Sequence, residues 1–516
     1  MSSITKTFSS LLSDKTLTKK ATLTAFASIL DYGARWLVTF IINPLLVTGL
    51  GDFGYGAWLV LTRTITYISP AGGRPTQALK WTIASQQAST DYDDKRRQVG
   101  SAVTVWFIFL PVLSSLGAAL VWYLPIWLDA PSEFIAIIRW AAAFLVADLI
   151  FTNLAEIPQS VLRGENLGYK RMGLTTIFVL LAGGLMALAL FLKKGLIGVA
   201  IAEMTATVIT GLLFFKLARS YVHWFGIAKP MFGAVRKFLG LSSWFLVWNL
   251  VLQLLKAGDV ILLGIFDSAE LVPHYSLTRY LPETIIGLIA IVVFGITPGL
   301  GGVIGKGDFE KANRVRNEIM ILTWFIVTVL GSTMLLWNRS FVELWVGKEY
   351  YAGAISNLLI IVMVSQFVFI RNDANILDLT LDLRQKVLLG LVSAALSAGL
   401  SVVLIGTLKM GIIGLTIGFI FGQSILTIGY PLLIGRFLQV SPSSQLRSVI
   451  RPGITTILFF GLVSTLSSSL FVSSWLLLIL YGGLTALLLF LLVFFIGMTG
   501  EQRNILLNRV RKVLPS

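Results

Sequence analysis

A chain of 516 residues that is 56% hydrophobic, only 13% charged and has a mean hydropathy of +0.84 lies outside the range of soluble globular domains. It has no cysteine, which excludes disulfides and thiolate metal sites, and its two histidines, His223 and His274, fall near predicted loops, so no histidine-based metal centre is expected. The net charge of +16 would suit nucleic acid if the basic residues were clustered, but their placement follows another rule.

The first twenty residues are polar and basic without a cleavable pattern, so the first span is expected to double as an uncleaved insertion signal. Phe8, Leu11, Leu12 and Leu17 among Lys and Ser predict an interfacial helix there. Fourteen apolar spans follow, at 22–46, 55–79, 100–124, 134–158, 172–192, 195–215, 238–265, 273–302, 319–337, 353–370, 387–407, 410–435, 452–471 and 474–498. The fold class is therefore an all-α polytopic membrane protein. Of the 41 Lys and Arg, thirty fall in the N-terminus, the loops after even-numbered spans and the C-terminus. Five lie on the opposite side (Lys193, Lys194, Arg339, Lys348 and Lys409) and six lie within spans. That sixfold bias is the positive-inside pattern, which puts both termini in the cytoplasm. The charge then serves topology and attraction to anionic headgroups, not nucleic acid. After Gly500, Leu506, Val510, Val513 and Leu514 recur at helical spacing among basic residues, which fits a helix on the cytoplasmic leaflet or a frayed basic tail.

Leu61-Thr62-Arg63 recurs as Leu277-Thr278-Arg279, 216 residues later, and the same offset carries Lys20 to Arg236. The spacing predicts a duplicated half: a first lobe over 1–225 (interfacial helix and spans 1–6), a second over 226–438 (spans 7–12), then spans 13 and 14 with a basic tail over 439–516. Six spans per lobe make the repeat parallel. Pro70-Ala-Gly72-Gly73-Arg74-Pro75 predicts a break in the second span, tolerated at membrane depth only against protein or a water-filled path. The other reading is that the span ends at Ser69 and a cytoplasmic loop begins.

The six basic residues within spans are Arg35, Arg63, Arg74, Arg139, Lys256 and Arg279; the acidic ones are Asp31, Asp148, Glu203, Asp259 and Glu283, with Glu156 near an end. Each costs about 2.5–3.5 kcal/mol at a helix centre, so most must face a polar interior. Asp31 and Arg35, Lys256 and Asp259, and Arg279 and Glu283 are spaced three or four apart, able to neutralise each other on one helix face. Arg63, Arg74 and Arg139 have no acid within four residues and need a partner from another helix or an arriving anion. Arginine's planar fork stays charged and suits phosphate. All six basic residues are candidate substrate contacts, with Arg63 expected to meet an anion first. Asp31, Asp259 and Glu283 are candidate coupling sites for H+ or Na+, as are Asp148 and Glu203.

Leu50-Gly-Asp-Phe-Gly-Tyr55-Gly-Ala-Trp58, Asp259-Val-Ile-Leu-Leu-Gly-Ile-Phe266, Tyr275-Ser-Leu277, and Thr297-Pro298-Gly-Leu300 followed by Lys306-Gly-Asp-Phe-Glu-Lys311 stand in order within fourteen spans. Together they resemble the multidrug/oligosaccharidyl-lipid/polysaccharide (MOP) exporter superfamily, especially its O-antigen and polysaccharide-unit flippases. The resemblance implies two six-helix lobes set as a V around a central cavity, with alternating access. It implies a polyprenyl-pyrophosphate-linked oligosaccharide as cargo, a bacterial cytoplasmic (inner) membrane location, and no enzyme activity or cofactor. Membrane lipids, and the polymerase and ligase of the same pathway, are the implied partners of a monomer. Spans 13 and 14 are shared with lipid II flippases, which keeps that function as an alternative. A cation-coupled multidrug exporter is another and would depend on the carboxylates instead. A glycosyltransferase or polymerase would need a sizeable outer loop, and the outer loops here are mostly under about sixteen residues. No G-x-x-x-x-G-K-[ST] loop is present, so ATP is not the expected energy source. The Pro70–Pro75 cluster and the Lys193-Lys194 pair depart from the family pattern.

Overall fold

A computed structural model describes residues 17–73, 75–86, 89–165, 167, 174–230, 233, 235–236, 253, 258–284, 300, 303–304, 307–378, 383–500 and 502–504, with side chains from Asp31 onward. The described residues are helical, without strands, and eleven helices are long and apolar enough to cross a membrane. The chain divides into two compact units, Met1–Gln253 and Leu254–Ser516. Most of the expected seventh and eighth spans lie outside the described residues.

The first unit opens with α1 (Leu17–Ile68), which breaks at Gly51, where φ is 70° and ψ 174°. A 42-residue apolar stretch is two crossings long, so this left-handed glycine is the turn between spans 1 and 2. A 3-10 turn (Ser69–Gly72) and a left-handed Gly73 (φ 73°) follow, with the Gly73 N–H donating to the Pro70 carbonyl at 3.0 Å. The helix then resumes as α2 (Pro75–Ser85). The break packs on protein. A Cβ at Gly72 would sit 2.9 Å from Asn153 Nδ2, and one at Gly73 would overlap the Phe109 ring. Further along, a Cβ on Gly164 would come within 2.7 Å of Ile83. From the level of Asn153 to that of Gly164 is eleven residues, about 16 Å of helix. The second span therefore does not end in a loop at Ser69; it is interrupted about 16 Å before that level and continues as α2.

α3 (Tyr92–Trp127), α4 (Ser132–Gly164), α5 (Leu174–Phe191) and α6 (Gly195–Tyr221) complete the unit. α4 packs most extensively on α6, where Gly211 lets the backbones close to within 2.8 Å of an added Cβ against Ala155. The buried core gathers Leu79, Ile83, Val99, Val105, Val161 and Phe214.

In the second unit the helical segments 258–266 and 271–284 precede α7 (Phe309–Trp345), α8 (Ala354–Asp378), α9 (Leu383–Val402, ending in a π-turn Val403–Thr407), α10 (Gly411–Leu438), α11 (Pro442–Leu466) and α12 (Trp475–Leu492, ending in a π-turn Val493–Gly497). α9 and α10 interlock through small residues. Ser393 Oγ donates to the Gly422 carbonyl at 2.9 Å and Ser401 Oγ to the Leu415 carbonyl at 3.1 Å, while a Cβ on Gly418 or Gly422 would collide with Ser401 or Ser397. α11 and α12 pack on α7 through Phe325 and Phe490 (ring centroids 5.0 Å apart), Thr328 with Thr456 (2.6 Å), and Trp337 donating to Thr485 (3.1 Å). Their other faces expose Ile457, Leu458, Leu476 and Ile479, as lipid contact requires.

The duplication is visible in local geometry. Asp91 caps α3 by accepting from the Asp94 N–H at 2.8 Å, and Asp308, 217 residues on, caps α7 by accepting from the Lys311 N–H at 3.1 Å. Lys193 and Lys409, 216 apart, are both left-handed (φ 55° and 52°), as are Gly195 and Gly411 (φ 60° and 52°). The Lys193-Lys194 pair thus belongs to a repeated helix-hairpin turn. Helices outrun the expected spans: α7 begins ten residues before 319 and α8 ends eight after 370. Hydropathy marks where lipid stops, whereas backbone hydrogen bonding continues into the headgroup zone until a cap such as Asp91, Asp308 or Ser441 ends it.

Candidate functional site

A chamber of about 570 Å³ lies inside the first unit, walled by α1, α4, α5 and α6. Helical spacing aims its polar groups inward: Asp31 and Arg35 on α1, Glu156, Gln159 and Arg163 on α4, Glu203, Thr207 and Thr210 on α6. Thr176 Oγ1 donates to Asp31 Oδ1 at 2.6 Å, and Thr76 Oγ1 to Glu156 Oε2 at 3.1 Å. Glu203 Oε2 and Asp148 Oδ1 are buried without hydrogen-bond partners among the described residues; the Asp148 carboxylate takes a hydrogen bond from Thr207, and the two like charges repel each other. A proton or small cation on either carboxylate would relieve that repulsion. The expected Asp31–Arg35 ion pair does not form among the described residues. Asp31 turns to Thr176, and Arg35 lines the chamber along with Arg163, a residue that the span analysis placed in a loop.

Arg63 is half-buried on the second limb of α1 and has no hydrogen-bond or ion-pair partner among the described residues. Thr62, Thr64 and Thr66 beside it donate to the carbonyls of Trp58, Val60 and Thr62 on their own helix, at 3.0, 2.7 and 2.8 Å. Arg139 lies 4.4 Å over the Trp122 ring, a cation–π contact, with its Nε buried and unpartnered among the described residues. Arg74 and Lys256 fall outside the described residues.

The second copy of the tripeptide is held differently. Arg279 ion-pairs with Asp259, donates to Tyr275 Oη at 2.9 Å and sits 3.7 Å from Glu283. Tyr275 Oη in turn donates to Asp259 Oδ2 at 2.6 Å, and the Val260 N–H donates to Asp259 Oδ1 at 2.8 Å. Asp259 is 2% exposed and Arg279 8%, so the pair is a closed network. The i,i+4 spacing did foresee Glu283 as a neighbour, but the main partner of Arg279 is Asp259, twenty residues away and assigned from spacing to Lys256.

Two ionic clusters escaped sequence reasoning. Arg316 grips Asp373 with two donors, Nε at 3.0 Å and Nη2 at 3.2 Å, and gives Nη1 to Gln445 at 2.9 Å. Lys386, fully buried, pairs with Asp378 and donates to the Ala374 carbonyl at 3.0 Å. Arg316 and Asp373, 57 residues apart, and Lys386 and Asp378, eight apart, carry no helix-face spacing signal, and all four lie just outside the apolar spans.

No protein-family model and no curated protein matches the sequence. Solved structures do. The lipid II flippase MurJ in an inward closed conformation aligns with a TM-score of 0.68 at 14% identity, over 91% of this chain and 98% of its own. An inward-facing multidrug resistance MATE family transporter of the MOP superfamily gives 0.64 at 14% identity, over 80% and 99%. A MOP superfamily transporter from Pyrococcus furiosus, described as having a binding pocket of reverse polarity, gives 0.53 at 14% identity, over 82% and 96%. The chain is a multi-pass membrane protein with the fold of these MOP-superfamily transporters.

Proposed function

We propose that the chain is a non-enzymatic transporter that flips a polyprenyl-pyrophosphate-linked saccharide across the bacterial cytoplasmic membrane by alternating access, driven by H+ or Na+ entering the first-unit chamber. One observation carries the choice of cargo class. The likeness to the lipid II flippase covers 91% of 516 residues, about 470, more than the 441 that precede α11, so it extends beyond α10, whereas the MATE transporter aligns over 80%. Spans 13 and 14 are the part of the chain whose resemblance is to lipid II flippases, which supports a lipid-linked cargo. Arg63 agrees with it, since an intramembrane guanidinium without a partner among the described residues is complementary to a pyrophosphate. The cargo is either an O-antigen-type surface polysaccharide unit or the peptidoglycan precursor. Purified protein in proteoliposomes, offered fluorescent lipid-linked oligosaccharide, lipid II and a cationic dye, separates the readings. Flipping of a pyrophosphate-linked lipid supports the proposal and shows which of the two is cargo; export of the dye alone refutes it.

The carboxylates favour ion coupling within the same reading. In this reading Asp148 and Glu203, two like charges that repel each other, take up the coupling cation, and Asp31 and Glu203 line the same chamber as Arg35.

A further inference from the structure

A second cavity of about 570 Å³ in the first unit is unlike the chamber: its lining is apolar and one end is basic. Leu154 and Pro158 of α4 and Val208, Leu212 and Phe215 of α6 form its sides, and the contact of Gly211 with Ala155 closes its floor. Phe225 and Ile227, beyond the end of α6, supply a further wall. That segment is fastened to α3, since Arg96 Nε donates to the Trp224 carbonyl at 2.9 Å and the Ala228 N–H to the Arg96 carbonyl at 3.2 Å. Leu212 is 66% exposed and Ile227 68%, so the groove opens on its apolar side.

The groove has a polarity and a length. Thr207 lines one end and Arg219 the other, twelve residues apart on α6. At about 1.5 Å per residue that is about 18 Å, close to one leaflet of a hydrocarbon core about 30 Å thick. Arg219 is exposed and has no hydrogen-bond or ion-pair partner among the described residues; Lys216 lies one turn before it and Lys229 just past Ile227. The acids nearby are engaged, Asp93 with Arg96 at 3.1 Å and Glu165 with Lys95 at 2.8 Å. A positive, unneutralised end above an apolar trough of one-leaflet depth matches the shape and charge of one lipid.

We propose that this groove is a binding site for an anionic phospholipid of the leaflet that the positive-inside pattern assigns to the cytoplasm, one acyl chain lying between α4 and α6 and the phosphate on Arg219. Occupancy would hold Phe225 and Ile227 against α6, bracing the segment that leads out of the first unit. The groove adjoins the charged chamber only at Ala155 and Thr207, and the proposal does not depend on what the protein transports.

Native mass spectrometry of the full chain tests this, after delipidation and exposure to equimolar phosphatidylglycerol and phosphatidylcholine of the same acyl chains. Phosphatidylglycerol should be retained preferentially. Arg219→Ala should lower the preference about fivefold, the discrimination expected of one basic side chain at a bilayer surface. Arg219→Lys should keep most of it, Val208→Trp should reduce total retained lipid by filling the groove, and Lys193→Ala, on a distant turn, should change nothing. Thermal unfolding of each variant should match the parent protein, so that lost binding is not lost folding. Equal retention of both lipids by the parent, an unchanged preference in Arg219→Ala, or displacement of phosphatidylglycerol by added polyprenyl phosphate would each overturn the proposal.

Discussion

Arg279 and Asp259, on helical segments joined by a short turn, are the most enclosed ion pair in the second unit's repeat of Leu-Thr-Arg, with Tyr275 hydrogen-bonded to both. Their burial makes the pair a hazard when halved. Asp259→Ala takes away the closest carboxylate and leaves the guanidinium in low dielectric, with Glu283 3.7 Å away and 44% exposed. Breaking a buried pair from one side costs about 3–5 kcal/mol, whereas removing both charges together can be nearly neutral. Thermal unfolding in detergent should therefore rank Asp259→Ala well below Asp259→Leu/Arg279→Met. A double variant as unstable as the single would show that the pair itself, not the stranded charge, holds the segments.

Arg63 should behave in the opposite way. With no partner among the described residues, its loss removes no internal bond, so Arg63→Ala should keep the parent's melting temperature while losing cargo affinity. A guanidinium hydrogen-bonded to a charged group contributes about 1.5–3 kcal/mol, so binding of pyrophosphate-linked lipid should weaken about 10- to 100-fold. Arg63→Lys keeps the charge but not the fork and should fall between. Binding measured on the intact protein decides it: unaltered affinity in Arg63→Ala removes this residue from the site.

The serine and glycine seam between α9 and α10 is a packing device, and its two halves should respond unequally. Gly422→Ala drives a methyl into Ser397 and should destabilise by about 1–3 kcal/mol through overpacking. Ser401→Ala removes one interhelical hydrogen bond and should cost only about 0.6 kcal/mol, the typical worth of such a bond in a membrane. Denaturation midpoints of the two variants would measure the asymmetry, and equal losses would contradict a steric origin.

What was legible in the chain follows from which interactions are local. Hydropathy set out the spans because lipid contact is a property of twenty consecutive residues, and positive φ at Lys193 and Lys409 sits where two apolar runs nearly touch. The break at Pro70–Pro75 was readable since proline and glycine act on their own backbone. Side-chain partners were not. Asp31 was paired in sequence with Arg35 one turn away, yet Thr176 on another helix takes it, and Arg316 finds Asp373 57 residues away. Helical spacing says which face a charge occupies and nothing about which helix packs there.

That distinction bears most on Glu203 and Asp148, whose closeness no spacing rule announces, since they lie on different helices. Each has a buried oxygen without a hydrogen bond among the described residues, and a proton or cation on either one would relieve their mutual repulsion. Converting either to its amide removes one charge and the repulsion together. Glu203→Gln and Asp148→Asn should therefore fold at least as stably as the parent while cargo movement loses its response to an imposed proton or sodium gradient. Flipping in proteoliposomes with and without each gradient measures this. Gradient-driven flipping that persists in both amide variants would mean the ion enters elsewhere, and sodium dependence surviving only in Glu203→Gln would locate it on Asp148.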